Sequence, residues 1–205
     1  MSAANAVAVA EAVEKKLKPM RIGETVLRTN NFDAMKSWYS LVLGRMEPSV
    51  LITIDPAAGG SRKDVTRVCF FRVHLDYPFA MVIGLFEVPE VVPSNGVRHP
   101  GMDHIMLRDY TLGELITRYE MLKAEGHVPM HSYNHGPGTS FYYKDPDGNT
   151  VEMAAVNFPT EAEYLAYFKT EAYQKNFEGI RIDPDEFVAR FRSGISQAEL
   201  VRIPV

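Results

Sequence analysis

Glu152 is the first residue whose setting calls for chemistry. It lies in Thr150-Val151-Glu152-Met153-Ala154, a run that otherwise suits an extended strand. A carboxylate among apolar residues is costly to bury unless it is paired or binds a cation. At a strand edge it would instead face water. Two more groups can join it. Shifting the chain by eighty residues lays Val26-Leu27-Arg28 on Met106-Leu107-Arg108, Met35 on Leu115 and Tyr39 on Tyr119. The same shift lays Glu24 on His104. One imidazole and two carboxylates on rigid strands, with positions left open, suit a hard or borderline divalent ion. Two carboxylates brought together without a cation repel each other, so their convergence argues for a metal. The alternative for Glu24 is an acid paired with Arg28 or Arg108.

Local patterns name the elements that must position these groups. Residues 21–29 read as a strand. Asn30 or Asn31 can cap a helix over 32–43, which Gly44 stops. Ala34, Met35, Trp38, Tyr39 and Val42 share one face of it, as core residues do. Strands are expected at 50–54, 64–73 and 79–88. The pattern then restarts with a strand at 102–108, a helix at 111–125 stopped by Gly126, and an extended stretch at 127–133. Phe141 to Lys144 read as a strand and 150–154 as its partner. Between them Asp145-Pro146-Asp147-Gly148-Asn149 is turn chemistry, with Pro presetting φ and Asp and Asn able to bond their own backbone. The resulting fold is α+β: two paired βαβββ modules forming a cupped mixed β-sheet, with N- and C-terminal helical extensions. Boundaries are expected at 1–19 for an N-terminal helix and 20–90 for the first module. A Pro-rich linker covers 91–100, the second module 101–157 and a helical tail 158–205, all within one domain. In that tail 160–173 looks helical. Asp183-Pro184-Asp185-Glu186 is a strong helix start, with a cap, Pro in the first turn and acids at the positive end.

Composition removes several classes. The chain has 205 residues and a net charge of −4, with no basic run to invite nucleic acid. Its single cysteine, Cys69, excludes an internal disulfide framework and a cysteine-rich zinc site. No apolar run reaches membrane-spanning length, and the start lacks the basic region of a signal peptide. A cytoplasmic protein is expected, and a homo-oligomer. His74, His99, His127 and His131 read as surface or turn histidines.

The stretch from His135 to Glu152 resembles a known fingerprint. His135 is followed by five residues, Phe141, Tyr142, two residues, Asp145, Pro146, one residue, Gly148 and, after three more, Glu152. This is similar to the signature of type I extradiol ring-cleavage dioxygenases, in the vicinal oxygen chelate superfamily that also holds glyoxalase I and fosfomycin- and bleomycin-resistance proteins. The resemblance covers residues 21–156 and is strongest toward single-domain members. It implies that His104 and Glu152 are metal ligands, that Tyr142 hydrogen-bonds a substrate oxygen, and that His135 handles a proton. It implies one divalent ion per chain, Fe(II) first, with Mn, Zn, Ni or Co as alternatives. The implied substrate is a catechol-like aromatic, met by O2, as in aromatic catabolism.

The pattern is departed from in three places. Glu24 stands where the family usually has histidine. Tyr133 stands where a small or β-branched residue is preferred. The turn Asp76-Tyr77-Pro78-Phe79 lacks the catalytic histidine of active ring-cleaving relatives, with His74 a few residues upstream. Two histidines and one glutamate around a divalent ion leave a +1 site that a catecholate monoanion neutralises. With Glu24 the site is neutral and the same complex is −1. Two other readings therefore accompany ring cleavage. One is an oxygen-independent lyase, isomerase or epimerase using Glu24 as base. The other is a binding protein that has lost catalysis.

Overall fold

The eighty-residue repeat is a repeat of structure. The computed structural model describes residues 21–55, 63–74, 81–92 and 102–203. The expected helix before residue 20, the turn at Pro78 and most of the 91–100 linker lie outside them. The first module runs β1 (Glu24–Thr29), α1 (Phe32–Val42), β2 (Val50–Thr53), β3 (Arg67–Arg72) and β4 (Val82–Glu87). The second runs β5 (His104–Arg108), α2 (Leu112–Ala124), β6 (His131–Asn134), β7 (Gly138–Lys144) and β8 (Thr150–Val156). Their sheets have the same order, β1-β4-β3-β2 and β5-β8-β7-β6. In each the first strand lies parallel to the last, and the other pairs are antiparallel. The α+β architecture of two βαβββ modules is thus present. Strands β1 and β5 are the edges of two separate sheets rather than neighbours in one ladder.

The repeat exists because the same positions face the core. Met35, Leu115 and Tyr39 are fully buried, and Tyr119 nearly so. Helix α1 buries Phe32, Met35, Trp38, Tyr39 and Val42, and α2 buries Leu112, Leu115, Ile116, Tyr119 and Leu122. Alternate residues of the sheets meet them: Cys69, Phe71, Ile83 and Leu85 in one module, Phe141, Tyr143, Val151 and Met153 in the other. Each such side chain contributes about 1.5–3 kcal/mol by leaving water. Helix α2 starts with a reciprocal cap, in which Thr111 Oγ1 accepts from the Glu114 amide and the Glu114 carboxylate accepts from the Thr111 amide.

Polar ties join the modules. The Tyr39 hydroxyl donates to Asp145 at 3.2 Å, so the first helix holds the hairpin turn of the second module. Asp145 also accepts from the Asp147 and Asn149 amides and from Asn149 Nδ2, which locks the β7–β8 turn and its register. Arg118 on α2 donates to Asp109 and to the Val42 carbonyl at the end of α1. Asp109 is 9 % exposed, and that guanidinium is its ion-pair partner. Arg118→Met is therefore expected to destabilise the fold by about 3–5 kcal/mol, because it strands a buried carboxylate. Denaturant titration measures this. The double variant with Asp109→Asn should recover part of the loss, and equal loss in both would contradict the pairing.

The tail corrects one expectation. Residues 160–173 form two helices, α3 (Glu161–Tyr167) and α4 (Glu171–Lys175), not one. Thr170 ends the first by donating to the Tyr167 carbonyl and caps the second by accepting from the Tyr173 amide. A short strand, β9 (Ile180–Arg181), then pairs with β6. Helices α5 (Pro184–Arg192) and α6 (Gln197–Leu200) follow, α5 capped by Asp183 as its sequence predicts. Among the described residues no helix is long and apolar enough to cross a membrane.

Candidate active site

Strand pairing decides which side chains share a face. In the second sheet one row reads Met106, Glu152, Tyr142, His131 across β5, β8, β7 and β6. The next row toward the end of β8 reads Arg108, Ala154, Ser140, Tyr133, Arg181. Because side chains alternate, His104, Glu152, Tyr142, His131 and Tyr133 stand opposite the core residues Val151, Met153, Phe141 and Tyr143. The adjacent tyrosines thus part company. Tyr143 is core at 2 % exposure, whereas Tyr142 belongs to the other face.

Four of the five expected groups form one line on this face. His104 Nε2 lies 2.9 Å from Glu152 Oε2, with the glutamate side chain 8 % exposed. The Tyr142 hydroxyl also lies within hydrogen-bond reach of Glu152. Burial, then the Glu152 charge, pushes that hydroxyl well above the ordinary phenol range, so it stays a protonated donor. Tyr142 Oη lies 3.0 Å from His135 Nε2. On the outer side of His104, Nδ1 lies 2.8 Å from Asp103 Oδ2.

The ends of this line test whether a cation fits. A carboxylate stands beside each ring nitrogen of His104, so the gap between Nε2 and Glu152 favours a cation. Two adjacent ligands at about 2.1 Å from a divalent ion lie about 3 Å apart, which matches the observed pair. Asp103 on Nδ1 supplies the carboxylate that commonly orients a ligating imidazole. The two groups fit a divalent ion as neighbouring ligands. Glu24 is exposed at the start of β1, opposite Val82 in the ladder. Among the described residues no cluster of three or more His, Cys, Asp or Glu is gathered for a metal, so Glu24 does not stand with the pair.

The sequence reading missed several members of the site. By sequence His131 reads as a surface or turn histidine, yet its ring lies 4.6 Å from that of Tyr142. Burial first, and then the Arg181 and Lys144 charges, hold it below the usual imidazole range, which makes it a neutral aromatic wall. Tyr133, the departure from the fingerprint, stacks on His135 at 5.5 Å and 10°. Period-two spacing of His131, Tyr133 and His135 was the available signal. Asp103 had only its adjacency to His104 to recommend it. A hollow of about 830 Å³ lies beside β5, lined by Met106, Arg108, Met153, Met81 and His74 among others. Met106, the register neighbour of Glu152, lines it together with Met153 of the core face, whereas His104, Glu152, Tyr142 and His135 do not.

With this geometry in view, the comparisons are specific. The profile described as Glyoxalase/Bleomycin resistance protein/Dioxygenase superfamily matches residues 21–153, which span both modules and reach Glu152. The chain belongs to this superfamily. Among curated proteins it is similar to two from Rhodococcus globerulus. Biphenyl-2,3-diol 1,2-dioxygenase 2 is 32% identical over 164 residues, 80% of this chain and 77% of that one. Biphenyl-2,3-diol 1,2-dioxygenase 3 is 31% identical over 182 residues, 88% of this chain and 86% of that one. The second match extends the likeness beyond the two modules that define the superfamily fold. Among solved structures, a glyoxylase/bleomycin resistance protein/dioxygenase domain from Frankia sp. EAN1pec gives a TM-score of 0.53 at 18% identity. It covers 68% of this chain and 99% of that one. A glyoxalase/dioxygenase from Nostoc punctiforme gives 0.50 at 17%, covering 68% and 95%. These two share the superfamily fold.

Proposed function

We propose that the chain is an extradiol-type dioxygenase that opens a catechol-like ring with O2. The observation that carries the reading is the line His104, Glu152, Tyr142 and His135 on one sheet face, each within hydrogen-bond reach of the next. Similarity to two biphenyl-2,3-diol dioxygenases supports the same reaction class. In this reading His104 and Glu152 would hold a divalent ion, Fe(II) first, and Glu24, which does not stand with the pair, would have to be drawn to it to serve as the third donor. The ion supplies the electron transfer that lets O2 react with an aromatic diol. One ring C–C bond beside the diol breaks, and both oxygen atoms enter the product, so no further reductant is consumed.

The protein's own groups do the rest. The Tyr142 hydroxyl, kept protonated, offers a fixed donor to a substrate oxygen. His135 Nε2 takes and returns a proton beside it. The rings of His131 and Tyr133 wall the sheet face against water. Met106 and the hollow next to it suit an apolar substituent on the diol ring.

The test is anaerobic loading with Fe(II), followed by oxygen uptake on a panel of catechols that includes biphenyl-2,3-diol. One O2 consumed per ring opened is expected. No uptake over the panel, with iron shown bound, overturns ring cleavage. A second reading rests on Glu24, the carboxylate in place of the usual histidine. If Glu24 is a base in an oxygen-independent lyase, isomerase or epimerase, solvent deuterium should enter a candidate substrate without O2. Two variants separate the readings. As a ligand, Glu24→Ala should weaken iron retention by at least about 10–100-fold, while Glu24→His should keep it. Iron binding untouched by Glu24→Ala would remove Glu24 from the metal site. Ring cleavage seen only in Glu24→His would mean the natural chain does different chemistry.

A further inference from the structure

We infer that the C-terminal segment positions the proton-handling histidine: the Glu178 carbonyl, seated by Gly179 and Asn176, locks His135 in the Nδ1–H tautomer and aims its free Nε2 lone pair at Tyr142. The consequence for catalysis rests on the ring-cleavage reading, but the lock itself does not.

The imidazole has two nitrogens and the structure gives each a different partner. Nδ1 lies 2.5 Å from the Glu178 carbonyl oxygen, which can only accept. Nδ1 must therefore carry a proton. In the neutral ring Nε2 then has none, and it faces the Tyr142 hydroxyl at 3.0 Å. The opposite tautomer would set two lone pairs against each other at Nδ1. With Nε2 bare, the single Tyr142 proton goes to Nε2 rather than to Glu152; the opposite tautomer would leave that proton to Glu152 and donate to the phenol oxygen instead. The carbonyl thus decides which nitrogen exchanges its proton, and it is the nitrogen that faces the rest of the line.

The carbonyl is held by a tight approach of two backbones. Gly179 has φ of 80°, and a Cβ there would lie 2.1 Å from the Asn134 carbonyl oxygen and 2.5 Å from His135 Cα. Only glycine allows the tail to pass so close to the histidine. Asn176 brackets the same turn: its Nδ2 donates to the Gly179 carbonyl at 2.7 Å, and its Oδ1 accepts from the Gly179 amide at 3.1 Å. Immediately afterwards β9 pairs with Tyr133 and Asn134, which stops the turn from sliding.

The histidine loop is gripped from its other side as well. The Gly136 amide donates to Asn134 Oδ1, and the Gly136 carbonyl accepts from Asn157 Nδ2. Asn157 Nδ2 also donates to Asn134 Oδ1, and Asn134 Nδ2 donates to the Val201 carbonyl. Asn134 and Asn157 are 1 % and 3 % exposed. The Tyr167 ring of α3 presses on Gly136, where a Cβ would lie 2.2 Å away. The tail thus touches the loop at Glu178–Gly179, Tyr167 and Val201. Of these, only Glu178 meets the imidazole through a hydrogen bond.

The experiment reads the tautomer directly. In full-length, metal-free protein labelled with 15N-histidine, long-range 15N–1H correlation identifies which nitrogen of His135 bears the proton. A protonated Nδ1 is expected in the natural chain. Asn176→Ala loosens the turn from an exposed position, and Gly179→Ala forces the backbones apart. Either should shift His135 toward a tautomer mixture. In iron-loaded protein each should lower kcat by about 10–100-fold, the usual effect of losing an orienting partner, with KM and iron content kept. Should Gly179→Ala fail to fold, Asn176→Ala carries the test. Finding Nε2–H as the main tautomer in the natural chain, or an unchanged His135 in Asn176→Ala, overturns the lock. If the tautomer behaves as expected but no catechol is opened, the lock stands and the ring-cleavage reading falls.

Discussion

Glu152→Gln is expected to abolish metal retention and lower turnover by roughly 10³-fold or more while leaving the metal-free protein folded. The substitution keeps the shape of the side chain and removes its charge. His104 then loses the carboxylate 2.9 Å away, and a cation held there would lose the one buried carboxylate of the pair. Electrophilic stabilisation by a metal is worth several kcal/mol, and about 1.4 kcal/mol is a factor of ten. The folded state should respond in the opposite sense. Glu152 is itself only 6 % exposed, so its charge is costly without a partner. An amide there is cheaper to bury and can still accept from Tyr142. Iron per chain, oxygen uptake and the thermal midpoint measure the three effects. Full iron binding in Glu152→Gln would remove Glu152 from the metal site.

His135→Gln is expected to lower turnover by about 10²–10⁴-fold with iron binding intact, the range for loss of a general acid–base group. His135 does not touch His104 or Glu152; it reaches them only through Tyr142. In the ring-cleavage reading it would therefore exchange a proton without disturbing a metal held by His104 and Glu152. Glutamine can still donate to the Glu178 carbonyl or accept from Tyr142, but it cannot take up a proton near neutral pH. The comparison with Tyr142→Phe is informative. That variant removes the hydroxyl beside Glu152 as well as the partner of His135, so it should raise KM where His135→Gln mainly lowers kcat. Single-turnover oxygen uptake under saturating catechol distinguishes them. A His135→Gln enzyme with an undiminished rate would show that the proton is handled elsewhere, and His74 beside Met106 in the hollow would be the next group to change.

Much of this site was legible because its signals are local or periodic. The Asp145-to-Asn149 turn, the Asp183 cap and the buried faces of the two helices follow from residue type at short spacing. The eighty-residue shift worked because equivalent core positions, Met35 with Leu115 and Tyr39 with Tyr119, face the same kind of surroundings. It also paired Glu24 with His104, yet matching positions in a repeat do not make two side chains meet. Strands β1 and β5 edge separate sheets, and Glu24 is not gathered with His104 and Glu152. A strand of two residues such as β9 carries too little pattern to read. Thr170 divided an expected single helix because a hydroxyl that can bond either neighbouring turn leaves no trace in hydrophobic spacing.

The sequence by itself determined the two modules and the hairpin of 141–144 with 150–154, and it singled out His104, Glu152, Tyr142 and His135 as candidates. Each is a matter of residue type, short spacing or repetition, and those survive in one dimension. Only the tertiary structure decided that Glu152 meets His104, that Tyr142 rather than Tyr143 faces the site, and that His131 and Tyr133 wall it. It alone set the Glu178 carbonyl on His135. The physical reason is that register between strands selects the face, and a backbone carbonyl is the same group in every residue. Where it points is fixed by the path of the chain, here by how closely Gly179 lets the tail approach the loop that carries His135.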